Sequence, residues 1–144
     1  MITKNLINQC EQAEEIQKAW KPKMGDWVSY NNTIQVLDTQ PVYNEVMLYY
    51  NDLIINNAIC DKKIEIHKHR ITKDKMFYLP TQEQLQEMVK LKHDPYCGAL
   101  LSKFYDWYNK NYISLESMNE LWLAFVMKEK YNKIWTGEKW VKAE

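Results

Sequence analysis

Apolar and small side chains recur at Leu6, Cys10, Ala13, Ile16 and Trp20, in steps of three and four that lay one stripe along a helix over roughly residues 3–20. Thr3 stands where a helix cap is expected. Lys21-Pro22 ends the element, because the residue before proline is pushed out of the helical region. The period then changes. Asp26 to Tyr30 and Thr33 to Leu37 flank Asn31-Asn32, a pair that tolerates positive φ, which predicts a tight hairpin. Val42 to Tyr50, rich in β-branched and aromatic residues, predicts a third strand, and Ile64 to Ile66 and Met76 to Leu79 predict two short ones. Residues 51–63 fit either a short helix or a strand pair around Asn56-Asn57.

From Pro80 the pattern turns helical. Thr81 to Gln84 has capping-box form, and Leu85, Met88, Val89 and Lys92 follow on one face. His93-Asp94-Pro95 breaks that helix and opens another over roughly 95–111, with Asp94 as cap and Pro95 at the first helical position. This helix carries Leu100, Leu101, Phe104, Tyr105, Trp107 and Tyr108, too many apolar residues for one stripe. Ser117 to Glu120 is a second capping box. It opens Leu121 to Met127, apolar all round and therefore the expected buried axis, with Lys128, Lys130 and Lys133 at the end where positive charge suits the helix dipole. Ile134 to Val141 predicts a hairpin turning on Gly137-Glu138 in type II′ form, which sets Trp135 opposite Trp140 and Thr136 opposite Lys139. Such a two-stranded hairpin is marginal alone, so it should pack on a helix face. The sum is an α+β domain over 1–144: an N-terminal helix, a small antiparallel sheet, then a three-helix half ending in a C-terminal hairpin. A β-rich half of about 21–79 meets a helical half of about 80–144.

Charge and composition narrow the chemistry. The 144 residues hold 19 Lys and Arg against 19 Asp and Glu, eight against nine in 1–72 and eleven against ten in 73–144, so neither half is a basic domain suited to a phosphate backbone. Gly25, Gly98 and Gly137 lie too far apart for either glycine-rich nucleotide loop or for a nucleophile elbow. Cys10, Cys60 and Cys97 are odd in number and contain no C-x-x-C pair, which fits a reducing compartment. The first twenty residues lack the apolar core of a signal peptide, and the longest apolar run, Leu121 to Met127, is far short of a membrane span. The expectation is a cytoplasmic protein with no membrane contact and no cofactor.

Candidate sites are few. His67 and His69 share a strand face and, with Cys60 or Asp61, would begin a metal site, but two aligned ligands fall short of the three or four that zinc needs. An exposed polar face is the simpler reading. His93 and Cys97 have the spacing of a base and thiol on one helix, yet Pro95 disturbs that geometry and nothing supplies an oxyanion hole. Lys62, Lys63, Lys68, Arg70, Lys73 and Lys75 form the one basic cluster, diluted by Asp61, Glu65 and Asp74; it is the alternative site, for nucleic acid, against a solvated strand face. Tyr96, Tyr105, Trp107, Tyr108 and Tyr112 are the candidate partner surface, because a helix of that length cannot bury all its rings on one stripe.

Two stretches of the helical half resemble a known family. Leu79-Pro80-Thr81-Gln82-Glu83-Gln84-Leu85-Gln86-Glu87-Met88 is one. The other runs from Glu120-Leu121-Trp122-Leu123-Ala124-Phe125-Val126-Met127-Lys128-Glu129-Lys130 to Lys133-Ile134-Trp135-Thr136-Gly137-Glu138-Lys139-Trp140-Val141. Together they are similar to a family of small proteins, without an assigned activity, encoded by phages and prophages of Gram-positive bacteria. The resemblance covers roughly residues 77–141, implies a host-cell cytoplasmic setting and transfers no functional residues. The combined expectation is a non-enzymatic phage accessory protein acting through protein–protein contacts, with an unidentified host or phage protein or a second copy of itself as partner. The alternative is a small nucleic-acid-binding module using segment 62–75.

Overall fold

Helices and antiparallel strands segregate along the chain in the computed structural model, which describes residues 2–37, 45–51, 66–72, 75–90, 97–111 and 114–144, and the fold is α+β. The chain forms two compact units, Trp20–Leu79 and the pair Met1–Ala19 with Pro80–Glu144.

In the first of these, β1 (Trp27–Tyr30) and β2 (Thr33–Val36) form the expected hairpin. Asn31 and Asn32 have φ of 47° and 61°, the two positive values a type I′ turn requires. The turn pins Trp27 opposite Val36 and Ser29 opposite Ile34. Strand β5 (Phe77–Tyr78) pairs with the other edge of β1, giving the order β2-β1-β5. Gly25, at φ +92°, turns the chain into β1 and donates to the Leu37 carbonyl at 2.7 Å, closing the base of the hairpin. Val28, Leu37, Met76, Tyr78 and Leu79 are buried. Trp20 stacks on Tyr78 with ring centroids 5.0 Å apart, and its indole N–H donates at 2.8 Å to the buried Asp26 carboxylate, which also accepts from the Lys23 amide. A separate ladder joins β3 (Glu45–Asn51) to β4 (Ile66–Thr72). Asn51 of the ambiguous stretch ends β3, and the rest of it lies in segment 52–65, outside the described residues.

The other unit is built on helices. The N-terminal stripe is buried from Leu6 through Ile16, but the element is two helices, α1 (Lys4–Gln12) and α2 (Glu14–Ala19). Ala13 breaks the helix at ψ 68°, and the Cys10 carbonyl accepts both the Ala13 amide at 3.1 Å and the Gln17 side chain at 2.8 Å. Trp20, the last member of the stripe, leaves it for the strand unit. The Thr3 hydroxyl caps α1 by accepting from the Leu6 amide at 3.0 Å. Helix α3 (Gln82–Met88) carries a complete capping box, with the Thr81 oxygen taking the Gln84 amide and the Gln84 side chain taking the Thr81 amide.

Helix α4 (Gly98–Asn111) packs on α5 (Met118–Tyr131), the predicted axis, whose residues Trp122 through Met127 are all buried. Phe104 stacks on Trp122 at 4.1 Å, and Phe104 and Trp107 each meet Phe125 edge-on. Burial of each such ring stabilises by roughly 1.5–3 kcal/mol, so this aromatic cluster is the main adhesive between α4 and α5. Beyond α5, Asn132 adopts a left-handed cap, and β6 (Lys133–Trp135) pairs with β7 (Trp140–Lys142) with Trp135 opposite Trp140 as expected. The hairpin does pack on a helix: the Trp140 indole donates to the Gln9 carbonyl of α1 at 2.9 Å, and Gln12 donates to the Glu138 carbonyl. Its connection has the expected positive φ at its first central residue, Gly137, and adds a side-chain contact. The Lys139 amide goes to the Thr136 hydroxyl rather than along the backbone, while the Thr136 amide donates to the Lys139 carbonyl, so the threonine side chain organises a four-residue loop with Gly137 at φ +104°.

The second capping box is only half formed. Ser117 accepts from the Glu120 amide, but the fully buried Glu120 carboxylate reaches the Glu116 amide at 3.2 Å, one residue before the cap, and accepts also from the Thr3 hydroxyl and from Asn5 Nδ2 of α1 at 2.9 Å. A side chain expected only to close its own helix end also ties two helices together. Two other buried groups, the Gln9 carboxamide and the Trp122 indole N–H, have no hydrogen-bond partner among the described residues.

Candidate functional site

The helix predicted to hold excess rings divides them between two stripes. In α4, Leu100 and Trp107 are buried, and Phe104 between them stacks on α5. One residue further along, Leu101, Tyr105 and Tyr108 repeat the same spacing and are 53, 63 and 42 % exposed. The stripes lie about 100° apart on the helix, so only one faces α5. Of the five candidate partner residues, Tyr105 and Tyr108 are therefore surface groups, whereas Trp107 is 9 % exposed and belongs to the aromatic cluster. Tyr96 and Tyr112 lie outside the described residues. Lys103 flanks the exposed stripe and is paired with Glu129 of α5.

A second apolar surface lies on the strand unit. The turn at Asn31-Asn32 fixes a register in which Trp27, Val36, Ile34 and Phe77 share one face of the sheet around Ser29. These four large side chains are 36–42 % exposed, while the opposite face buries Val28 and Tyr78. An antiparallel sheet with one packed face ordinarily turns polar residues to the other, so four large apolar groups there depart from the pattern. Sequence reasoning missed this face, although the signal was present: once the hairpin register is taken, alternation along β1 and β2 places Trp27 and Val36 directly opposite each other.

A third feature is a groove of about 210 Å³ in the helical unit, lined by Trp107, Asn111, Ala124, Lys128, Ile134 and Trp135. Its members come from α4, α5 and β6, and no local motif marked them together.

The remaining candidates fall as follows. His67 and His69 stand on β4 opposite Tyr50 and Leu48, and Lys68 and Arg70 opposite Tyr49 and Met47. Cys60, Asp61, Lys62, Lys63, Lys73 and His93 lie outside the described residues, and Lys75 is exposed. Among the described residues no three His, Cys, Asp or Glu side chains gather as metal ligands. Cys97 is exposed at φ +57°, immediately before α4. Cys10 is the opposite case: burial, with the charges of Glu11 and Glu120, pushes its thiol far above the ordinary range, which leaves it unreactive. No helix among the described residues is long and apolar enough to cross a membrane. No family model matches the chain, and neither does any curated protein or solved structure.

Proposed function

We propose that this protein is a phage-encoded accessory protein that acts without catalysis, through contacts with another protein in the host cytoplasm. The Leu79–Met88 and Glu120–Val141 stretches support the phage origin through the resemblance they carry. The observation that carries the mode of action is the outward sheet face, where Trp27, Ile34, Val36 and Phe77 gather large apolar area around the buried Ser29. Single exposed apolar residues are ordinary, but contiguous ones on a regular face mark interaction sites, and tryptophan and phenylalanine are enriched at the centres of interfaces. The exposed stripe of α4 offers a second contact of the same character.

The test places a photo-crosslinking residue at Ile34, at Val36 and, as a control, at Glu83 on α3, in the full chain expressed in infected host cells. The expected result is one reproducible protein adduct from positions 34 and 36 that is absent from position 83 and lost when Trp27→Ser is added. A second copy of the chain in that adduct would make the contact a self-association. No adduct above the control, together with a strict monomer in sedimentation, refutes the proposal.

A further inference from the structure

The groove of the helical unit has a chemistry more specific than apolar stickiness. Trp107 and Asn111 stand four apart on α4, Ala124 and Lys128 four apart on α5, and Ile134-Trp135 follow on β6, so three elements each contribute a pair. The small side chain at Ala124, buried in a helix otherwise filled by Trp122, Leu123, Phe125 and Val126, is what leaves space between the indole-bearing elements. At about 210 Å³ the groove lies below the roughly 300–1,000 Å³ of sites for drug-sized ligands. It suits one large side chain rather than a cofactor.

Its polar groups narrow the occupant. Lys128 Nζ donates to Asn132 Oδ1 at 2.7 Å, a neutral partner, and no carboxylate pairs with it among the described residues. An ammonium held beside an apolar groove without a counter-charge favours an anion there. Asn111 Nδ2 spends one of its two N–H groups on the Trp107 carbonyl at 2.7 Å, so the side chain keeps one N–H and its acceptor oxygen, the oxygen being suited to an amide N–H. The two indoles favour a ring, through offset or edge contacts.

A ring, an amide N–H and a carboxylate within one side chain's volume are what the last residue of a polypeptide carries when that residue is aromatic. We infer that this groove captures the C-terminal aromatic residue of a partner protein, with the free carboxylate on Lys128, the terminal amide N–H on Asn111 Oδ1 and the ring beside Trp107 and Trp135. The inference rests on the reading of this protein as one that works by contacting other proteins. It concerns a different surface from the sheet face, so each can fail without the other.

The test uses N-acetyl-phenylalanine as probe, with N-acetyl-phenylalaninamide and free phenylalanine as comparisons, followed by two-dimensional NMR on the full chain. The acid is expected to give saturable shifts at the Asn111 side-chain amide, at Ile134 and at the Trp135 indole, with a Kd of about 1 mM, as suits so small a contact. It should bind about fivefold more tightly than the neutral amide, the scale of a partly exposed charge pair, and more tightly than free phenylalanine, whose ammonium opposes Lys128. Lys128→Gln, a surface change, should bring acid and amide to equal affinity while ring-dependent shifts persist. No saturable shift at these residues, equal binding of acid and amide to the unaltered chain, or an acid preference that survives Lys128→Gln would each overturn the inference.

Discussion

Replacing Glu120 by glutamine tests whether a buried carboxylate holds the N-terminal helix onto the helical core. Three donors converge on its two oxygens: the Thr3 hydroxyl, Asn5 Nδ2 at 2.9 Å and the Glu116 amide at 3.2 Å. Asn5 Nδ2 and the Glu116 amide share one oxygen, so a glutamine of the same shape keeps its single oxygen on them and turns its NH2 to the Thr3 hydroxyl. That hydroxyl, which already accepts from the Leu6 amide, can accept a second bond but loses the acceptor for its own proton. Leaving one buried group without a partner costs about 1–3 kcal/mol, and the bonds that survive are weakened by loss of the charge. Against this stands the easier burial of a neutral amide compared with a carboxylate, which offsets part of the loss. The balance is a destabilisation of about 1–2 kcal/mol. Urea unfolding at neutral pH, followed by far-ultraviolet circular dichroism, should show a lower midpoint with an unchanged slope. Asn5→Ala should cost less, since Asn5 is only half-buried, and the two changes together should cost less than their sum because they share one interaction. Unchanged or increased stability in Glu120→Gln, or strict additivity with Asn5→Ala, would refute the reasoning and show that charge desolvation outweighs the three bonds.

Gln9→Met should stabilise the protein by about 1–2 kcal/mol, because the Gln9 carboxamide is fully buried with neither polar atom paired among the described residues, and methionine has similar volume without them; a loss of stability on thermal unfolding would show that an internal water serves the amide. Burial raises the Glu15 carboxyl, but its hydrogen bond and ion pair with Lys133, its own backbone and nearby Lys18 outweigh that, so its pKa lies below the ordinary 4.5. The folded pKa being depressed, this pair's stabilisation is present at neutral pH and is lost as pH falls below about 4.5 through the folded value. Glu15→Gln should therefore flatten the fall of stability in that acid window, and an unaltered pH profile would count against the pair. Gly137→Ala should cost about 1 kcal/mol from backbone strain at φ +104°, since among the described residues no atom beyond its chain neighbours lies within 4 Å of the added methyl; a neutral effect on the unfolding midpoint would mean that the loop relaxes.

Much of this architecture rests on short-range codes. The Asn31-Asn32 turn, the Thr81 capping box, the end of the first helical stretch before Pro22 and the Trp135–Trp140 register each depend on residues a few positions apart, whose φ preferences and hydrogen-bond reach act wherever the segment lies. The all-apolar centre of α5 likewise had no solution but burial, because a helix without a polar face cannot border water. Other features turned on partners far along the chain. Leu100-Phe104-Trp107 and Leu101-Tyr105-Tyr108 have identical spacing, and only the docking of α4 on α5 selected which stripe would be covered and which exposed. Glu120 matched a capping box, yet its carboxylate is shared between the local Glu116 amide and two donors more than a hundred residues away, on Thr3 and Asn5. Trp20 continued the N-terminal stripe in sequence but found a flat ring in Tyr78 and an acceptor in Asp26. The groove on Lys128 arose in the same way, from pairs on three elements that no local pattern connects. Local rules operate over one or two turns of backbone, whereas a choice between equivalent faces or competing hydrogen-bond partners is made by whichever long-range contact buries more apolar area or leaves fewer polar groups unpaired.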